Sequence, residues 1–325
     1  MAKPHLCNPA LFELDLTGRR YVVTGANSGI GLVTARQLAT QGAEVVCGCR
    51  RLDEAEQRIA EIREEHPGAK LEARALDLAS LASVRAFAQG VVASCERLDG
   101  LVNNAGVMNT PKRATEDGFE LQLGVNHLAH FLLTELLLDL LKRSAPSRIV
   151  NVSSSYHDVA MGRQGDIHLD DPSYRERPYD GWEAYAQSKL ANVLHARSLA
   201  KRLEGTGVTA VSLHPGWVRT QLIRNSMPVW IQNTVARPIF RMLGMIEPWE
   251  GAQTSLHCLL DPSVPEHAGA YFSQLGQYRD PACSQGGWPM RSPNPRAHDD
   301  ELAERLWAWS AQAVAAPAEA RAQAR

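Results

Sequence analysis

The stretch TGANSGIG, Thr24 to Gly31, decides the fold. It closes RYVVTGA, a run rich in β-branched residues that reads as a strand. It also opens GIGLVTARQLATQG, whose apolar residues recur at helical spacing until Gly42 ends the run. Gly25, Gly29 and Gly31 allow a sharp turn and a close backbone approach, while the helix start offers unpaired N–H groups and the positive end of a dipole. A pyrophosphate fits such a cradle, with Asn27, Ser28 and Ile30 expected among its contacts. Three glycines alone serve any tight strand-to-helix turn. Strand, glycines, helix and second strand in that order favour the nucleotide reading.

Outward from the turn, the second strand AEVVCGCR ends at the position that selects the nucleotide. An acidic side chain there would bind the ribose 2′-hydroxyl of NAD and repel a 2′-phosphate. This chain instead has Cys49 followed by Arg50 and Arg51. A guanidinium grips phosphate by paired hydrogen bonds, so NADP(H) is the expected cofactor and Arg50 its phosphate ligand. The competing reading is a solvated basic loop. LEARALDL then ends in Asp77 and Leu78, placed for an adenine. GLVNNAG ends in Asn103, Ala105 and Gly106, which suit close contact with a ribose or a flat ring or, for the asparagines, plain turn chemistry. Strand and helix patterns keep alternating through SRIVNVSSS and VTAVSLHPG. Such alternation implies right-handed βαβ units, hence an α/β fold with a doubly wound, mostly parallel sheet and helices on both faces.

YAQSK, Tyr185 to Lys189, lies on the helical run EAYAQSKLANVLHARSLAKRL, and its i, i+4 spacing projects a phenol and an ammonium from one face. A free phenol, with a pKa near ~10, shuttles protons poorly at neutral pH, and a nearby cation lowers that pKa by favouring phenolate. Tyr185 could then take a proton from an alcohol or give one to a carbonyl oxygen. By itself this spacing is common on solvated helix faces.

Six elements occur in order: the glycine turn, NNAG, Asn126 in VNHLAHF, the serines of NVSSS, YAQSK and HPG. Together they resemble the short-chain dehydrogenase/reductase family over roughly residues 17 to 280. DLASLASVRAF, SKLANVLHARSLAKRL and EGAQTSLHCLL look like its retinol dehydrogenase branch and that branch's soluble bacterial and fungal relatives. The resemblance implies a Rossmann fold. It assigns Tyr185 as general acid/base, Lys189 as its electrostatic partner and ribose contact, and Asn126 as support for a water-linked proton path to the lysine. The family serine that hydrogen-bonds the reacting oxygen corresponds to Ser154, with Ser153 and Ser155 as competitors. Pro215, Gly216, Val218 and Thr220 of HPGWVRTQL correspond to the segment that grips the nicotinamide end.

With 325 residues, a net charge of −2 and 44% hydrophobic residues, the chain is bounded to one large folded domain without a nucleic-acid footprint. Residues 1–17 are expected as an N-terminal extension, 18–310 as the domain and 311–325 as a disordered tail. The apolar stretch around 221–250, broken by prolines, is expected as a substrate lid, the alternative being a segment that dips into a membrane surface. No apolar run suits a signal peptide or an integral membrane span, and six cysteines without a CxxC pair fit reduced thiols in the cytoplasm. His127 and His130 lack neighbouring carboxylates or thiols, so they read as structural and no metal is expected. His214 reads as a backbone-fixing residue. The expected activity is NADP(H)-dependent interconversion of an alcohol and a carbonyl on a lipophilic small molecule. The alternatives are a catalytically silent NADP-sensing module and a reductase of a conjugated ring. A homo-oligomer stays open.

Overall fold

The computed structural model describes residues 3–218 and 245–315. Thr220, most of the expected lid and residues 316–325 therefore lie outside the described residues.

The strands are β1 (Arg20–Thr24), β2 (Glu44–Cys49), β3 (Lys70–Ala75), β4 (Gly100–Asn103), β5 (Ser147–Val152), β6 (Val159–Ala160), β7 (Arg163–Gln164), β8 (Val208–His214), β9 (Tyr271–Ser273) and β10 (Gly287–Met290). Eight of them form one sheet in the order β10-β9-β8-β5-β4-β1-β2-β3, and β6 and β7 form a separate hairpin. Every pair in the large sheet is parallel except β9 with β10. The strand order reverses between β1 and β4, so a crevice opens there beyond the carboxyl ends of the strands.

Helices cover both faces, which is why the central strands are buried along nearly their whole length rather than on alternate residues. On one face, α1 (Gly29–Thr40), α2 (Leu52–Glu65) and a later helix, Pro248–Leu260, share a core that includes Leu38, Ile59 and Leu256. On the other, α3 (Leu81–Ser94) meets the long helical run after β4 through Phe87, Leu133 and Leu137. That run is one helix interrupted by a wider turn: α4 (Leu121–Leu123), a π-helical turn Gly124–Leu128, then α5 (Ala129–Arg143). Next come α6 (Gly181–Arg202), the Pro248–Leu260 helix as α7, and α8 (Asp300–Ala315).

Two boundaries differ from expectation. The first residues are not an appendage: Cys7, Leu11 and Leu16 are buried in the α1 core, and Gln274 both accepts from His5 N and donates to His5 O, each at 2.7 Å. At the other end, 311–315 continue α8 rather than fraying. Val314 is buried and its carbonyl accepts from Arg85 Nη2 at 2.7 Å. The sheet also gains β9 and β10, which are too short to show a period. β10 carries Pro289, tolerated because a proline without an N–H suits a sheet edge. All six cysteines are free thiols, and among the described residues no helix is long and apolar enough to cross a membrane.

Candidate active site

A cleft of about 940 Å³ opens beyond the carboxyl ends of the strands. Toward β2 and β3 it is lined by Gly25, Asn27, Ser28, Gly29, Ile30 and Arg50, with Asp77 and Leu78 beside them. Gly25 has φ +68° and Gly29 φ +58°, and a Cβ on Gly25 would lie 2.9 Å from the Cβ of Ala105. Only glycine therefore fits the first position of the turn. Ser28, at the N-cap of α1, makes no side-chain capping bond, and the first turn carries no acidic residue. The orphan N–H groups and dipole of α1 are thus left for an anion. Arg50 is exposed at the rim and has no partner among the described residues, whereas Arg51 is paired with Glu54. Gly31 does not line the cleft. Its missing Cβ makes room for the Asn104 amide, whose nitrogen would sit 2.5 Å from it.

Behind the turn, Thr24 locks β1 to β4. Its Oγ1 accepts the N–H groups of Asn104 and Ala105, both at 2.9 Å, and its carbonyl accepts from Asn104 Nδ2 at 2.7 Å. Asn103, expected to face the cofactor, points the other way. Strand alternation buries it, and its amide donates to Thr134 Oγ1 (3.0 Å) and to Asn151 Oδ1 (2.8 Å) on β5. The cleft is lined instead by Asn104, Ala105 and Gly106.

At the other end α6 presents its pair. Asp180 caps the helix by accepting from Trp182 N (2.9 Å) and Glu183 N (3.2 Å), so the chain enters α6 one turn before Tyr185. Tyr185 and Lys189 are both buried and both line the cleft. Lys189 Nζ donates to Val152 O at 3.0 Å and lies 5.7 Å from the centre of the Tyr185 ring. Burial brings the Lys189 ammonium down to about 7. Burial also pushes the Tyr185 phenol up, the Ser154 hydroxyl pulls it back down, and Tyr156 adds to the rise. In the protein alone, then, the phenol is not lowered by its neighbour as the spacing suggested. Burial thus disfavours the ammonium, so its support for phenolate depends on what keeps its proton.

Of the three serines, Ser153 is committed to the backbone, donating to Lys189 O at 2.7 Å, and Ser155 begins the short helical turn Ser155–His157. Ser154 Oγ accepts from Tyr156 N at 3.2 Å, and its hydroxyl interacts with the Tyr185 phenol. Asn126 sits in the π-helical turn and does not reach the cleft wall. Its Oδ1 accepts from Val107 N (2.8 Å), and its Nδ2 donates to Val107 O and Ser188 Oγ, both at 2.9 Å. It fastens the loop after β4 to α6. Gly106 fits between them because a Cβ would come within 2.9 Å of Asn126 Oδ1 and 3.4 Å of Lys189 Nζ. Pro215, Gly216 (φ +92°) and Val218 line the cleft past β8.

His130 completes a link that sequence patterning does not show. Its Nε2 lies 2.9 Å from Thr24 Oγ1 and its Nδ1 3.1 Å from Asn126 O. A carbonyl only accepts, so Nδ1 carries the proton and Thr24 donates to Nε2. The glycine turn is thereby joined to the π-helical turn. His127 Nε2 meets Ser310 Oγ at 2.8 Å. Among the described residues no cluster of three ligating side chains could hold a metal.

The aromatic wall was also missed. Trp182 meets Tyr156 edge-on (5.3 Å, 80°), and Tyr156 meets Tyr185 edge-on (6.1 Å, 88°). Met161, at the tip of the β6–β7 hairpin, and Trp217 extend the apolar lining. The signal was present as aromatic residues inside the otherwise irregular, polar 156–182 segment.

Residues 19–165 match the family model described as short chain dehydrogenase. Human retinol dehydrogenase 13 is 45% identical over 304 residues, covering 93% of this chain and 86% of that protein. The crystal structure of an uncharacterized protein from Mycobacterium paratuberculosis shares 33% identity at TM-score 0.72, covering 96% of this chain and 98% of that one. Pseudomonas aeruginosa RhlG, in an active-site complex with NADP, shares 27% identity at TM-score 0.62, covering 82% and 97% respectively. Fold and relatives together define an oxidoreductase of the alcohol/carbonyl type that works with a nicotinamide cofactor. The chain belongs to the short-chain dehydrogenase family, within its retinol dehydrogenase branch.

Proposed function

We propose that the protein interconverts an alcohol and a carbonyl on a lipophilic small molecule with NADP(H), using Tyr185 as general acid/base. The observation that carries this reading is the buried Tyr185–Lys189 pair lying between a glycine cradle with a free guanidinium and an aromatic wall.

The cleft suits the dinucleotide by its donors. Open N–H groups at the start of α1 match a pyrophosphate, and Arg50 matches a 2′-phosphate, as RhlG's complex with NADP also favours. Asp77 and Leu78 would hold the adenine, Ala105 and Gly106 the ribose, and Pro215, Gly216, Val218 and Thr220 the nicotinamide end. The cofactor, when bound, supplies or accepts the hydride. In reduction, the Ser154 hydroxyl donates a hydrogen bond to the carbonyl oxygen and fixes it beside Tyr185. Tyr185 gives that oxygen its proton, and the Lys189 ammonium stabilises the phenolate left behind. In oxidation the same groups work in reverse. Asn126 keeps Gly106 and α6 in register, which sets Lys189 against the ribose site.

Trp182, Tyr156 and Met161 exclude water and favour an apolar substrate, in keeping with the relative named for retinol. Six free thiols suit a reducing compartment, and the cytoplasm is part of the proposal. NADPH consumption over aldehydes, ketones, steroids and retinoids tests it. Turnover on apolar carbonyls with NADPH preferred to NADH is expected. Tight NADPH binding with no turnover across the panel would overturn it.

A further inference from the structure

The turn that carries Ser154 is fastened from behind by the C-terminal part of the chain. Ser154 O accepts the backbone N–H of His157 at 3.1 Å and lies 2.6 Å from His157 Nδ1. Because a carbonyl only accepts, Nδ1 carries the ring proton and donates it. Nε2 is then an acceptor, and the Ser292 hydroxyl, 135 positions later, donates to it at 2.6 Å. Ser292 Oγ accepts in turn from Asn294 N (3.1 Å), and Asn294 Nδ2 donates to the carbonyls of His157 (2.7 Å) and Gly165 (2.9 Å). His157, Ser292 and Asn294 are buried, and burial brings the His157 ring down to about 4, so it stays neutral, with its proton on Nδ1 facing Ser154 O. Asp158, with no exposed surface, accepts both the backbone N–H and Nε of Arg279 at 2.8 Å. That pair ties the turn to the loop whose Leu275, Gly276 and Gln277 line the cleft.

We propose that His157 is a positioning residue for Ser154 and that Ser292 anchors its ring, so that the segment after β10 sets where the Ser154 hydroxyl stands against the substrate oxygen. Without the Ser292 donor, Nε2 is a buried acceptor with no partner and the ring is no longer held from behind. The Nδ1–H bond to Ser154 O then loses its fixed geometry, and the turn relaxes away from Tyr185. Neither His157 nor Ser292 lines the cleft, so the effect reaches the chemistry through Ser154.

The inference rests on the proposed role of Ser154, and the test separates the two. Full-length wild type, Ser154→Ala, Ser292→Ala, His157→Asn and the Ser154→Ala/Ser292→Ala and His157→Asn/Ser292→Ala double variants are compared for kcat, carbonyl KM, NADPH Kd and Tm, with retinaldehyde and decanal as probes. Ser292→Ala is expected to lower kcat roughly tenfold while KM and NADPH Kd stay within about twofold, the scale of a small misplacement of a reacting group. It should cost nothing further once Ser154 is alanine. His157→Asn keeps an N–H donor at the Nδ1 position but loses the Nε2 anchor, so it should match the loss in Ser292→Ala and add nothing when the two are combined. Wild-type kcat in Ser292→Ala, or an equal loss with and without Ser154, overturns the inference while leaving Ser154's role standing. Wild-type kcat in Ser154→Ala removes that role, and the inference with it.

Discussion

The β2 end of the cleft leaves its polar groups open, whereas the α6 end has most of its own already engaged. At the first, the N–H groups of α1 lack a side-chain cap and Arg50 has no partner among the described residues. At the second, Lys189 Nζ holds Val152 O, Ser153 holds Lys189 O, and Asn126 spends its whole amide on Val107 and Ser188. One end waits for a charge that arrives with its ligand. The other holds a geometry that must exist before the substrate does, and it does so through buried bonds that solvent cannot exchange. Loss of a group should therefore affect binding at the first end and turnover at the second.

Apart from loss of Tyr185 itself, the largest expected effect is at the second end. Lys189→Met should lower kcat by about 10²- to 10³-fold, the range of a general acid/base contribution, with a smaller loss of NADPH affinity. Single-turnover kinetics and a fluorescence titration read the two separately. Next comes Arg50→Ala, which should weaken NADPH by about 10- to 100-fold through one lost charge-assisted contact and leave NADH unchanged. An equal change in both cofactors would break the contrast. At the wall, Trp182→Ala should raise the KM for decanal by roughly tenfold, for about 1.4 kcal/mol of lost apolar contact, at nearly constant kcat.

The smallest effect at neutral pH is on stability. Burial holds His127 and His214 down to about 3 and His130 and His157 down to about 4, with His195 also well below its usual range. All five lie in the half built on the π-helical turn, α5, α6 and β8 or on the Ser154 turn. Their folded pKa values are below the unfolded value near ~6.5, so between about 4 and 6.5 the unfolded chain binds more protons and stability falls as pH falls. Urea unfolding at stepped pH should show that loss begin just below 6.5. A flat profile down to about pH 4 would mean that these rings are not buried as neutral groups.

The asymmetry between the ends also explains what could be read without a structure. The cradle is contiguous: seven residues from Gly25 to Gly31 supply turn, backbone and helix start, so a short pattern carries it. Arg50 was legible because it follows directly on the strand. The Tyr185–Lys189 pair was legible as spacing, yet the direction of its pKa shifts was not, since burial depends on everything packed around α6. Asn103 was misplaced because two adjacent asparagines at a strand end look alike until alternation sends one inward. The clamp on Ser154 joins residues 135 positions apart, and the sheet's far edge rests on strands of three and four residues. No local period announces either.

The most direct test of the central claim is the pH dependence of hydride transfer in Tyr185→Phe against wild type, at saturating NADPH with retinaldehyde and decanal. Phenylalanine keeps the ring against Tyr156 and removes only the hydroxyl group. The account predicts that single-turnover reduction falls by about 10³-fold or more at every pH, with NADPH Kd within about threefold. Retention of most of the wild-type rate, with the same pH profile, would contradict it.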